Sequence, residues 1–331
     1  MKLDFNDLLI VPKEITGINT RAVINPFDNN GFLPLITAPM DTVVNIENTK
    51  EFYLNKIHIC TPRYEYSELG FNSYSYNDIS VLMDNDAIEP FGKYLIDVAN
   101  GHMDNILNIT KQLKLKYPYM QLMVGNIANP KTYTLLSEAG ADYIRCGIGN
   151  GGGCLTTKNT GVGYPMASLI KECYNESVRL IKPAKIVADG GMQDYSDIIK
   201  ALALGADYVM LGNILNKSLE SAGDNYLFKK IKVSQDLADF LYNLKAPIYK
   251  KYRGMSTKEV QKKWGSKTLK TSEGVVRFRR VEYRLDKWVE NFEDYLRTAM
   301  SYSGALTLKE FIGQAELIEI SGNAYKRFNK W

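Results

Sequence analysis

Short apolar segments, each followed by a stretch in which apolar residues recur at helical spacing, constrain the fold of this chain more than any other feature. Most of the segments are too short and too apolar throughout for strands with one face in water, so they predict parallel strands buried on both faces. The predicted strands are residues 32–37, 56–60, 94–99, 121–125, 143–147, 185–189 and 208–211.

The stretches between these strands predict helices, among them residues 103–114, 130–139 and 194–204. The sequence Gly-Ala-Asp-Tyr occurs twice, beginning at Gly140 and at Gly205. Glycine favours the position after the last turn of a helix, and a predicted strand follows at once in both places. The repeated unit is therefore strand, helix, glycine turn.

A regular alternation of strands and helices predicts a parallel α/β fold. Seven units, with an eighth strand expected near residues 247–252, favour a closed (β/α)8 TIM barrel over an open sheet. We expect one domain over residues 1–331, because a barrel of roughly 250 residues with insertions uses this length. Catalytic residues are then expected where strands end and loops begin.

Charge and cysteine content exclude several classes of protein. The 41 Lys and Arg residues nearly balance 37 Asp and Glu residues, so neither nucleic acid nor a membrane is expected as the main partner. Four scattered cysteines without a CxxC pair predict neither a disulfide scaffold nor a zinc site. Together with a start that lacks a signal-peptide pattern, they predict a cytoplasmic protein.

Residues 253–280 are rich in Lys, Arg, Gly and Ser and have little apolar periodicity. We interpret this segment as a mobile flap over the mouth of the barrel. A solvated basic loop is the alternative interpretation, and the two are compatible.

The glycine-rich run that begins at Gly147 ends in a single cysteine, Cys154. So many glycines allow the backbone to approach a ligand or to present its carbonyl and amide groups to an ion. Cys154 is placed as a nucleophile would be, next to backbone amides and a Thr-rich segment. Spacing alone favours the other interpretation, a buried structural cysteine.

Asp189 follows an apolar strand, so its carboxylate is predicted at the mouth of the barrel, where it can bind a ribose diol. Gly190, Gly191 and Gly212 can offer amides to a phosphate. A helix-capping role for Asp189 is equally compatible with the sequence. Glu273 can contact a purine edge or move protons, although alone it would count as a surface residue.

Taken together, the motifs resemble those of the IMP dehydrogenase and GMP reductase family from residue 3 to about residue 311. They are LDFNDLLIVP at residues 3–12, APMDTV at 38–43, DVANGH at 97–102, KNTGVGYP at 158–165 and GMS at 254–256. The last three are similar to the reductase forms. The chain also lacks the Arg-Tyr pair that activates water in the dehydrogenase flap. Only residues 61–93 stand where the dehydrogenase commonly carries two regulatory nucleotide-binding (CBS) modules.

The resemblance implies NADPH-dependent reductive deamination of a guanosine or deoxyguanosine monophosphate to the inosine form, with release of ammonia. NADH is the alternative hydride donor. Cys154 would attack C2 of the purine and form a covalent intermediate, while Thr156 and Glu273 would shuttle protons. The resemblance also implies a homotetramer.

Further site residues follow from the same resemblance. The substrate positions are Met40, Asp189, Gly190, Gly191, Gly212, Asn213, Tyr252, Gly254, Met255 and Ser256. The cofactor positions are Asp97, Asn100 and Gly101. The backbone carbonyls of Gly147, Gly149 and Cys154 match a loop that holds potassium in many relatives.

Four positions depart from the family pattern. Arg63 stands near the place of a lysine thought to donate a proton, and Arg does not readily give up a proton. A phosphate-binding Ser is Gly152, a Gly is Asn213 and a Gln is Met166. Phosphate recognition is therefore expected to differ, which leaves a deoxynucleotide or a modified purine open as substrates.

Two other functions remain open. An IMP dehydrogenase would oxidise IMP to XMP with NAD, and would need a water-activating group such as Lys262, Lys263, Arg277 or Arg279. A nucleotide-binding barrel without catalysis would explain Arg63 and the altered phosphate loops, but it has no chemical use for Cys154, Thr156 and Glu273 together.

Overall fold

The computed structural model describes residues 1–255, 257, 260 and 274–328. Of the predicted flap, residues 253–280, only parts near its two ends belong to this range, and the predicted site residues Ser256 and Glu273 lie outside the described residues. Within the described residues, no helix is long and apolar enough to cross a membrane.

Fourteen strands are present in the described part of the chain. They are β1 (Leu8–Ile10), β2 (Leu35–Thr37), β3 (Ile59–Thr61), β4 (Gly70–Tyr74), β5 (Lys93–Asp97), β6 (Gln121–Ile127), β7 (Tyr143–Cys146), β8 (Lys185–Asp189), β9 (Tyr208–Leu211), β10 (Asn225–Leu227), β11 (Ile231–Val233), β12 (Ile248–Arg253), β13 (Val276–Arg280) and β14 (Leu317–Glu319).

The helices alternate with these strands. They are α1 (Thr49–Leu54), α2 (Tyr76–Asp84), α3 (Asp104–Lys116), α4 (Pro130–Glu138), α5 (Thr156–Thr160), α6 (Met166–Ser177), α7 (Tyr195–Leu204), α8 (Asn213–Asn216), α9 (Gln235–Asn243), α10 (Leu285–Tyr302), α11 (Leu308–Phe311) and α12 (Gly322–Phe328).

Strands β2 to β9 form one parallel sheet of eight strands, and β2 lies beside β9 in it. The backbone between β2 and β3 completes the ring. The His58 amide donates a hydrogen bond of 2.9 Å to the Leu35 carbonyl, and the Thr37 amide donates one of 3.0 Å to the His58 carbonyl. The predicted (β/α)8 barrel is therefore confirmed.

The predicted eighth strand was wrong. The segment near residues 247–252 is β12, which pairs antiparallel with β10 and β13 in a separate sheet of four strands. The missing barrel strand is β4, whose Asn72 and Ser73 are buried polar residues. Thr61 Oγ1 donates to Asn72 Oδ1 at 3.0 Å, and Ser73 Oγ donates to the Thr61 carbonyl at 2.6 Å. Residues 61–93 therefore contain a complete strand and helix, and the DVANGH motif begins at the end of the fourth barrel strand.

Both predicted glycine turns end helices on the outside of the barrel. Gly140, after α4, has φ of 94°, and Gly205, after α7, has φ of 121°. Strand β7 begins three residues after Gly140, and β9 begins three residues after Gly205. On α7, Ile198 and Leu202 are fully buried against the barrel, and each such side chain contributes about 1.5–3 kcal/mol.

Replacing Gly205 with Ala is expected to destabilise the barrel. The alanine would have to adopt a left-handed backbone conformation, and its methyl group would lie 2.3 Å from Tyr174 Cγ. Both effects together predict a loss of about 2–4 kcal/mol in the free energy of unfolding, measured by urea denaturation. Gly17→Ala is the control, since nothing lies within 4 Å of its added Cβ. Equal stability of the two variants would contradict the prediction.

Candidate active site

A cavity of ≈ 400 Å³ opens at the carboxyl ends of the barrel strands. Loops that follow six strands of the barrel contribute to it, as expected for this fold. It brings together most of the residues predicted from the sequence. These are Met40, Asp97, Gly147, Gly149, Cys154, Thr156, Asp189, Gly190, Gly191, Gly212, Asn213, Tyr252, Gly254 and Met255.

Asn100 and Gly101 lie beside the cavity and are not among the residues that line it. The Gly101 amide donates a hydrogen bond of 2.8 Å to the Asn126 carbonyl at the end of β6. The Asn100 side chain accepts a hydrogen bond of 3.1 Å from the His102 amide. These contacts shape the loop after β5, and the predicted cofactor role of the two residues remains a prediction.

Cys154 differs from the other three cysteines in its exposure. Its side chain is half-buried and borders the cavity, whereas Cys60, Cys146 and Cys173 are fully buried. The Cys154 thiol donates a hydrogen bond of 3.2 Å to Thr156 Oγ1, at the first residue of α5. The Thr156 hydroxyl is therefore close enough to contact a group bonded to the Cys154 sulfur. The interpretation of Cys154 as a buried core residue is excluded.

Three glycines bring the cysteine loop into contact with the chain near both ends of the predicted flap. The Val275 amide donates to the Gly153 carbonyl, and the Gly254 amide donates to the Val275 carbonyl, both at 3.1 Å. A Cβ added to Gly254 would lie 2.8 Å from the Gly153 carbonyl oxygen and 3.1 Å from Gly274 Cα. Only glycine allows three backbones to approach so closely.

A network of partly buried charges lies on the wall of the cavity. Arg145, on β7, donates to Asp189 through Nε at 2.9 Å and to Asp97 through Nη1 at 2.8 Å. Arg63 also pairs with Asp97, with Nε at 3.3 Å from Oδ2. Asn126 Nδ2 donates to Asp189 Oδ2 and to the Gly147 carbonyl, both at 2.7 Å.

Arg145 and Asn126 were not predicted as site residues from the sequence. The signal for Arg145 was a charged residue within an otherwise apolar strand, and the signal for Asn126 was an amide at the end of β6. Burial disfavours the charged form of Arg145, but Asp189 and Asp97 outweigh this effect and raise the pKa of its guanidinium. The network thus holds two cations and two anions with no net charge.

Asp189 keeps one oxygen available for a ligand. Its Oδ2 accepts the hydrogen bonds from Arg145 and Asn126, while its Oδ1 accepts none from the described residues. Because Asp189 lines the cavity, this arrangement suits a hydroxyl donor. The carboxylate is therefore oriented before any ligand binds.

At the end of the cavity lined by the loop after β9, Asn213 faces Gly152. A Cβ added to Gly152 would lie 3.5 Å from Asn213 Cβ, so the two departures from the family pattern meet in space. Asn213 Oδ1 is buried and has no hydrogen-bond partner among the described residues. Burial raises the pKa of Tyr252 to about 12, and its hydroxyl lies 3.7 Å from a Cβ added to Gly212. This end offers neutral donors and backbone amides, which suit an anion.

The carbonyl of Gly147, one of the predicted potassium ligands, accepts the hydrogen bond from Asn126. Both Gly147 and Gly149 have positive φ, at 137° and 82°, as the close approach of this loop to its neighbours requires. No group of three His, Cys, Asp or Glu side chains in the described residues could hold a metal.

Comparison with known proteins identifies the class to which this fold and site belong. A family model described as the IMP dehydrogenase / GMP reductase domain matches residues 92–329, so the chain belongs to this family. This confirms the resemblance found in the motifs.

Relatives in several organisms carry the reductase name. GMP reductase 2 of Homo sapiens is 28% identical over 354 residues, covering 97% of this chain and 95% of the human protein. GMP reductase of Caenorhabditis elegans is 28% identical, covering 97% of this chain and 92% of its own length. GMP reductase of Buchnera aphidicola is 29% identical, with 99% and 97% covered.

Selective alkylation tests the exposure of the cysteines. Iodoacetamide at neutral pH is expected to modify the native protein once, at Cys154, because the other three thiols are buried. Peptide mass spectrometry locates the modification. Cys154→Ala is expected to reduce the labelling to near zero until the protein is unfolded. Equally rapid labelling of Cys60 or Cys146 would contradict the structure.

Proposed function

We propose that this chain is a GMP reductase-like oxidoreductase that reductively deaminates a guanosine or deoxyguanosine monophosphate to the inosine form. The observation that carries the proposal is the position of Cys154, half-buried beside Thr156 in a cavity that also contains Asp189. Matches to proteins named GMP reductase over nearly the whole chain support it.

The cysteine divides one hard substitution into two easier steps. The Cys154 thiolate adds to C2 of the purine. The 2-amino group then takes up a proton and leaves as ammonia, so that C2 stays bonded to sulfur and regains its double bond to nitrogen. A dihydronicotinamide from NADPH, held beside Asp97, Asn100 and Gly101 in this proposal, would supply a hydride to C2. The C–S bond then breaks, the thiolate is restored and the inosine base carries hydrogen at C2.

The protein's own groups bind the substrate and move protons. Thr156, 3.2 Å from the sulfur, is positioned to relay a proton to the departing amine, together with Glu273. Asp189 Oδ1 accepts a hydrogen bond from the sugar. The phosphate binds the amides of Gly190, Gly191 and Gly212 and the side chains of Asn213 and Tyr252. Met40, Gly254, Met255 and Ser256 border the base in this proposal.

Arg63 does not supply the missing proton in this scheme. Its guanidinium donates to the Asp97 carbonyl and pairs with the Asp97 carboxylate. Since an arginine does not readily lose a proton near neutral pH, its role is structural. Asp97, Asn100 and Gly101 border the nicotinamide in our proposal, with NADH as an alternative donor.

The remaining parts of the proposal concern the whole protein. The carbonyls of Gly147, Gly149 and Cys154 would bind a potassium ion, the carbonyl of Gly147 in addition to its bond with Asn126. The chain would form one domain without regulatory modules, with residues 253–280 as the flap. It would assemble as a homotetramer and act in the cytoplasm.

Oxidation of NADPH tests the reaction. Purified protein with GMP or dGMP is expected to lower the absorbance at about 340 nm and to release one ammonia per reduced nucleotide consumed. Cys154→Ala is expected to lower kcat by about 10³-fold or more, because the covalent step is lost. Thr156→Val should reduce kcat, because its hydroxyl, 3.2 Å from the Cys154 sulfur, is lost.

Other outcomes of the same assay would replace the proposal. Formation of NADH from IMP and NAD, without turnover of guanine nucleotides, would establish a dehydrogenase. Tight nucleotide binding without turnover in either direction would establish a binding protein without catalysis.

The anion-binding end of the cavity can be tested through Asn213. Asn213→Asp is expected to weaken binding of GMP by about tenfold or more, because a carboxylate would repel the phosphate at short range. Binding of guanosine, which has no phosphate, should change little. Isothermal titration calorimetry measures both ligands, and Asn108→Asp on the exposed face of α3 is the control for the charge change. An equal loss for guanosine would place the phosphate elsewhere.

A further inference from the structure

Strand register explains how Arg145 reaches two carboxylates from the inside of a barrel. Asp97 on β5, Gly125 on β6 and Arg145 on β7 are partners in one row across three neighbouring strands. Two residues in one row, on strands that are separated by a third strand, have backbones about 9–10 Å apart. A residue with a side chain between them would separate them, but the middle position is a glycine.

Gly125 is required by the packing around Arg145. A Cβ added to Gly125 would lie 2.5 Å from Arg145 Cβ and 2.6 Å from the Arg145 carbonyl oxygen. The glycine therefore creates the space through which the guanidinium crosses β6 to reach Asp97 at 2.8 Å. The same guanidinium contacts Asp189, on the other side of β7, at 2.9 Å.

The three charged side chains that Arg145 connects have little room for independent movement. Those of Arg145, Asp97 and Asp189 are 11%, 17% and 17% exposed. Both oxygens of Asp97 are engaged, Oδ1 by Arg145 and Oδ2 by Arg63. A planar guanidinium binds through fixed directions, unlike an ammonium group. Arg145 binds Asp97 and Asp189 through two nitrogens of one rigid guanidinium group, which we call the Arg145 fork. If Asp97 moves, the hydrogen bonds of this fork must change, and the position of Asp189 changes with them.

We propose that Arg145 is a positioning residue that couples the two sides of the cavity, so that a change at Asp97 alters the binding of the sugar at Asp189. The inference rests on the proposed function, because it takes Asp189 as the sugar-binding group and Asp97 as a group on the cofactor side. Coupling of this kind is a difference in binding free energy and is reciprocal between the two sites.

Asp97→Asn is the deciding variant. It removes the negative charge that the Arg145 fork binds, at a position that the proposed function assigns to the cofactor. We expect the dissociation constant for GMP, measured by calorimetry without any dinucleotide, to rise about fivefold or more. A change within about twofold would overturn the coupling. The surface variant Asp84→Asn, on exposed α2, is the control for loss of one carboxylate.

A double-mutant cycle separates coupling from general damage. Arg145→Lys keeps the positive charge but loses the fork, and should weaken GMP binding while changing KM more than kcat. If Arg145 transmits the effect, adding Asp97→Asn to Arg145→Lys should weaken binding little further. Additive losses in the double variant would overturn the proposal. Arg179→Lys, whose side chain is 70% exposed, is the matched control.

Failure of this inference and failure of the proposed function give different results. If GMP binds the wild type and Asp97→Asn binds it equally well, only the coupling is wrong. If GMP does not bind, the proposed function is wrong, and ribose 5-phosphate then tests the coupling at Asp189 in the same variants. If the wild type binds neither ligand, both proposals are wrong. Should Arg145→Lys fail to fold, Asp97→Asn alone decides the question.

Discussion

Closure of the eight-stranded sheet is the constraint on which the rest of the structure depends. The bonds of His58 with Leu35 and Thr37 join the first barrel strand to the second, so every parallel strand ends on the same rim. Residues from distant parts of the chain meet at this rim, because the loops after the strands all lie on the same face of the barrel. Cys154 follows β7 and Asp189 ends β8, and the two residues line the same cavity because these strands lie side by side in the ring.

The same rim contains a partly buried cluster whose charges cancel. Removing charged groups from water costs several kcal/mol for each ion, and only well-aligned ion pairs and hydrogen bonds offset that cost. Here each carboxylate of the cluster has a guanidinium partner, and Asn126 adds a donor to Asp189. The result is a polar wall that is rigid before any ligand arrives, which favours catalysis because less reorganisation is needed later.

The sequence predicted the barrel and the glycine turns, because apolar strands and the turns between them follow local rules. About half of the residues that line the cavity were also expected, most of them through the family resemblance of the motifs. The sequence pattern did not predict β4, because Asn72 and Ser73 make this strand look polar. Their hydrogen-bond partners lie on β3, and a pattern within one segment does not show contacts with a neighbouring strand. It also failed at Arg145, whose role arises from its register with Gly125 and Asp97 across neighbouring strands. No spacing along one chain segment shows which residues face each other across a sheet.

The backbone contact between the cysteine loop and the glycines beyond β12 has a consequence for the order of assembly. All barrel strands lie within the first 211 residues, whereas Gly254, Gly274 and Val275 come later in the chain. During synthesis the ribosome releases the ring of strands before the partners of Gly153 and Cys154 exist. The thiol therefore receives its final surroundings late, because a nascent chain that stops short of residue 275 lacks the backbone partner of Gly153.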